Sequence, residues 1–169
     1  MKLTFLRYST SSQIKKNKTL RTSTPFVSAQ TVGILFTIED RAKHDVVKEL
    51  IKKLEGEGKK VSVLAFLPEK KENFEFLFNY FTIKDISFWG TLQSTDALTF
   101  ANTPFDFLYC LDEEPSLMIL NILGRCRAKC RVGKYAEGNE VYFEMMIESK
   151  QGVKALAESA LKYSRELRG

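Results

Sequence analysis

Two turns in this sequence carry residues that could do chemistry. Thr37, Glu39 and Asp40 close and follow the apolar run TVGILFT, and Asp112, Glu113 and Ser116 follow FDFLYCL. Carboxylates gathered from two such turns can hold a divalent cation through hard oxygen ligands, or can imitate the acidic pocket of a phosphorylatable receiver domain. They can equally be helix starts, since an acid there accepts orphan N–H groups and complements the helix dipole. The receiver reading needs an acid at the end of the third strand, where the sequence offers Trp89-Gly90. The ligand and helix-start readings both stay open, and no metal or cofactor is indicated.

Other chemistries lack their residues. The turn TIEDRAK contains no glycine, so backbone N–H groups cannot close around a phosphate as a dinucleotide cradle requires. No GxxxxGK[ST] and no GxSxG occurs. The single histidine, His44, falls in the first turns of a helix beside its apolar stripe and is expected at the solvated surface. Cys110, Cys126 and Cys130 form an odd set without CxxC hooks, which fits reduced, buried thiols in a cytoplasmic protein. Cys126 and Cys130 are placed i, i+4 on one helix.

Charge divides the chain unevenly. Residues 1–30 carry Lys2, Arg7, Lys15, Lys16, Lys18 and Arg21 and no acid, within a total net charge of +5. Residues 31–169 therefore hold 20 basic and 21 acidic side chains, a net of −1. The first 30 residues are read as a basic arm, a short helix at most followed by an exposed linker. Such an arm suits an anionic partner (RNA, a ribosome or a lipid surface) contacted by Lys15, Lys16, Lys18 and Arg21, or acts as a solubilising tail. No apolar stretch is long enough to span a membrane, and the N-terminus lacks the apolar segment of a secretory signal.

The elements that must position these residues alternate. TVGILFT and VSVLAFL are apolar throughout, as strands covered on both faces are. Between them Val46, Val47, Leu50, Ile51 and Leu54 recur at helical spacing until Gly56 and Gly58. A third, edge strand is expected near Ile86–Trp89, a short helix at STDALTFAN and a central strand at FDFLYCL. PSLMILNILGRCRAKC reads as a helix with Pro115 in its first turn. RVGKYA and VYFEMMI read as short strands. A closing helix presents Val153, Leu156, Ala160, Tyr163 and Leu167. This pattern predicts a three-layer, Rossmann-like α/β sandwich over residues 31–169, with a mainly parallel sheet of order 3-2-1-4-5 plus a C-terminal strand.

Residues 74–89 hold seven aromatic side chains, among them Phe74, Phe76, Phe78, Phe88 and Trp89. Their alternation from Phe74 to Tyr80 suits one face of a strand. Glu75 and Asp85 interleave with a single Lys84, so core packing or a cover over the sheet edge is the expected role. The segments NYFTIKDISFWG, FDFLYCLD and AKCRVGKY resemble an uncharacterised family of small bacterial α/β proteins, a domain of unknown function. That resemblance covers most of residues 30–167 and implies an intracellular, Rossmann-like protein without implying an activity. The stretch from FDFLYCLD to CRAKCRVG is also similar to one strand–helix–strand of heptosyltransferase-like glycosyltransferases, and carries over no catalytic residue. The functional expectation is a non-catalytic binding or adaptor domain tethered by its basic arm. The alternative is a ligand-binding or transferase-like domain acting at the carboxyl ends of the first and fourth strands.

Overall fold

The computed structural model describes residues 1–71 and 78–168. Six strands form one all-parallel sheet: β1 (Thr31–Thr37), β2 (Lys60–Phe66), β3 (Asn79–Phe81), β4 (Phe107–Cys110), β5 (Cys130–Lys134) and β6 (Met145–Ile147). Their order is β3-β2-β1-β4-β5-β6, the expected arrangement with the additional strand at the β5 edge. Period-two alternation assigns the faces. Val32, Ile34 and Phe36 of β1, with Phe107 and Tyr109 of β4, point to one side, where α2 (Arg41–Gly56) and α5 (Val153–Arg165) cover them. Leu35, Leu64, Leu108 and Cys110 point to the other, beneath α3 (Thr95–Asn102) and α4 (Leu117–Arg125).

Several elements differ from expectation. The edge strand is Asn79–Phe81, not Ile86–Trp89; Ile86 makes only an isolated antiparallel bridge to Leu92. The expected alternation of Phe74 and Phe76 lies outside the described residues. Helix α4 ends at Arg125, so Cys126 follows it and Cys130 opens β5. The two thiols do not share a helix, because α4 stops at Arg125 and Cys126 is already extended. On α5 the buried stripe runs through Leu156, Ala157, Ala160, Leu161 and Ser164, and Tyr163 faces outward. His44 is buried, not solvated: it lies one turn before Val47 and packs on Phe36 and Phe78.

The largest difference is at the N-terminus. Lys2–Lys16 is a 15-residue helix, α1, packed against α4 with Leu6 fully buried. Gly124 of α4 admits Ile14 so closely that a Cβ there would lie 2.9 Å from it. Thr10 Oγ1 donates to Leu6 O and accepts from Asn121 Nδ2 of α4 at 2.9 Å. The segment after α1 is tied down rather than loose. Asn17 Nδ2 donates to the carbonyls of Gly124 and Cys126, Thr22 N donates to Lys129 O, and buried Lys59 donates to Phe26 O and Ala29 O. The charge boundary at residue 30 is therefore not a packing boundary.

Candidate functional site

The strand order reverses between β1 and β4, the switch point beyond whose carboxyl ends open parallel sheets place their ligands. The structure brings Thr37 and Asp112 together there. Asp112 Oδ1 accepts from Thr37 N at 2.8 Å, and Oδ2 accepts from Thr37 Oγ1 at 2.5 Å. Lys43, in the first turn of α2, adds an ammonium 2.6 Å from Asp112 Oδ1 and 3.1 Å from Glu39. Asp40 is drawn elsewhere, as the N-cap of α2 accepting from Lys43 N. Glu113 accepts from Lys134 Nζ at 2.8 Å and from Gly152 N at 3.1 Å. Those two donors hold its carboxyl below the usual carboxylate range, Lys134 contributing most. Ser116 is the N-cap position of α4 without a side-chain cap bond.

Among the described residues Glu39, Asp40, Asp112 and Glu113 are all engaged at this switch point, and Glu114 is exposed. Among the described residues no group of three or more His, Cys, Asp or Glu side chains could hold a metal ion. Chemically the cluster is an ion-paired clasp that joins β1, α2 and β4. The clasp needs Lys43, which the sequence reading missed. Its signal was a lysine on the sheet-facing stripe Lys43–Val47–Leu50–Leu54, where a cation is buried only if a carboxylate meets it.

A second place gathers charge without neutralising it. The ends of α1, α3 and α4 converge on a groove of about 550 Å³ lined by Lys16, Lys18, Arg125 and Arg127, with Asn17 and Asn102. No acid lines it. The three helix C-termini contribute roughly half a negative charge each, so four cations leave a net positive charge of about 2.5. Lys16, Lys18 and Arg127 have no carboxylate partner among the described residues. Arg125 is aimed by a buried relay: its Nε donates to Asn121 Oδ1 at 3.1 Å, and Asn121, 1% exposed, is bonded to Thr10.

Of the expected anion contacts, Lys16 and Lys18 line this groove and Lys15 is exposed on the last turn of α1. Arg21 is not available in the same way, since it turns inward and donates to Ala128 O. In the sequence Arg125 and Arg127 are only the basic residues near the end of PSLMILNILGRCRAKC. Their convergence with Lys16 and Lys18 joins positions more than a hundred residues apart and leaves no local signal.

No curated protein matches the chain. A family of unknown function, DUF6913, matches residues 2–167, so the family spans α1 as well as the sheet. Among the described residues no helix is long and apolar enough to cross a membrane. The chain belongs to the family of unknown function DUF6913.

Proposed function

We propose that this protein is a non-catalytic binding domain that holds an anionic partner in the groove between α1, α3 and α4. The observation that carries the reading is the set of four cations, Lys16, Lys18, Arg125 and Arg127, converging without an acid among the described residues. A cluster solely balancing helix ends would carry fewer charges, and the buried Asn121 relay that orients Arg125 pre-organises one donor fork. The three buried thiols suit a reducing cytoplasm, and the resemblance noted above would make the host bacterial.

Titration calorimetry with inorganic polyphosphate tests the proposal. Binding should weaken steeply as salt rises, since contacts between exposed charges are screened, and should disappear in a Lys16→Glu/Arg127→Glu variant that melts like the parent. Salt-insensitive binding, or equal binding by the variant, defeats the reading.

A further inference from the structure

We propose that the anionic partner is a single-stranded nucleic acid, with Phe88 and Trp89 as its stacking platform and Lys16, Lys18, Arg125 and Arg127 as its phosphate contacts. The inference rests on the anion-binding reading of the groove and adds the chemical class of its occupant.

Its starting point is an exposed aromatic cluster at the other end of α1. Phe5 meets Trp89 edge-on at 5.0 Å and Phe88 at 5.7 Å, while Phe88 and Trp89 stand 5.2 Å apart. Phe88 is 51% exposed and Trp89 68% exposed, so these rings order one another without being covered. Phe5 and Lys16 are eleven residues apart, which is three helical turns, and so lie on the same face of α1. Gly90 abuts the backbone of Phe5 and Leu6, and Leu98 and Asn102 of α3 meet the far end of α1 in the groove. The aromatic cluster and the cationic groove therefore lie at opposite ends of one face of α1.

Their separation fits a strand. Eleven helical residues rise about 16 Å, which about five nucleotides cover at the stacked spacing of roughly 3.4 Å. Aromatic rings with a basic track are how sequence-tolerant single-strand binders work, because every base has a π face and every linkage a charge. Residues 1–30 contain no acid to repel the backbone. Asp96 of α3 faces away, into a separate cavity with Thr99 and Thr103. A lipid surface fits less well. A helix lying in a bilayer interface buries an apolar face along its length, whereas α1 commits Leu6 and Ile14 to α4 and exposes large apolar residues only in its first two turns.

The test uses the full chain and its only tryptophan, Trp89. Fluorescein-labelled 12-mers of oligo(U) and oligo(dT) are titrated by anisotropy, and unlabelled ones by Trp89 emission. Inorganic polyphosphate and phosphatidylcholine–phosphatidylserine vesicles serve as base-free anions. Binding of either oligonucleotide should quench Trp89. With four phosphates neutralised, affinity should fall about 50-fold between 50 and 200 mM salt. Trp89→Ala and Phe88→Ala should each weaken oligonucleotide binding by about 5- to 150-fold and leave polyphosphate binding unchanged. The quench in the unmutated protein is an independent readout should a variant fold poorly.

Oligonucleotide binding that leaves Trp89 emission and the Trp89→Ala affinity unchanged overturns this inference while the anion-binding groove stands. A preference for vesicles, with a blue shift of Trp89, also overturns it. Binding of none of these anions overturns both.

Discussion

The ammonium of Lys43 lies 2.6 Å from the carboxylate of Asp112, and both side chains are almost fully buried. A buried pair of this kind attracts strongly only because each partner has lost its water, so removing one leaves an uncompensated charge. Asp112→Asn or Lys43→Met should therefore each cost about 3–5 kcal/mol, measured by urea unfolding. The double variant should lose less than the sum of the two single losses. Additive losses would mean that the two groups do not depend on each other.

Acid should weaken the fold at a definable carboxylate. Burial pushes the Asp106 carboxyl up, but the N–H groups of Gln30 and Thr31 and the ammonium of Lys129 outweigh it and hold the group below its ordinary range. A depressed folded-state pKa contributes stability that is present above the unfolded value of about 4 and is lost as pH falls through the folded one. Asp106→Asn should thus lower stability at pH 7 and flatten its decline below about pH 4. An unchanged acid limb in the variant refutes the assignment.

The three cysteines should be inert in the folded state. Burial raises the thiols of Cys110 and Cys126 and pushes Cys130 up to about 11, and each side chain is 1% exposed or less. The reactive species is the thiolate, so Ellman's reagent at pH 8 should label nothing in native protein. All three thiols should react in denaturant. Rapid labelling of the native protein would show that at least one thiol is open to solvent.

Gly90 should be hard to replace. Its φ is +80°, and a Cβ there would lie 2.5 Å from the backbone of Phe5 and Leu6. Left-handed backbone alone costs a non-glycine residue roughly 1–2 kcal/mol, and the contact adds to it. Gly90→Ala should lower the melting temperature and expose residues 1–30 to limited proteolysis. Unaltered melting and cleavage would show that α1 does not depend on this approach.

Much of the fold was legible because local patterns and sheet topology agree. TVGILFT and FDFLYCL are apolar on both faces, which only a central strand covered on two sides satisfies, and the helical stripe between Val46 and Leu54 supplies the crossover. Edges were less legible. Asn79–Phe81 has three residues and, among the described residues, is paired only with β2, so the sequence around it reads equally well as the extended chain that leads to Ile86.

The sequence by itself determined the α/β class, the central strands and the concentration of positive charge before residue 31, and left Asp40 open between ligand and helix cap. Tertiary structure decided what those charges face. Lys43 met Asp112, Lys134 met Glu113 and Arg21 met a backbone carbonyl, while Lys16 and Lys18 met Arg125 and Arg127 and, among the described residues, no acid. The reason is physical. Secondary structure follows from spacing within a few residues, but whether a charge is neutralised depends on which group the fold brings within about 4 Å, often from the far end of the chain.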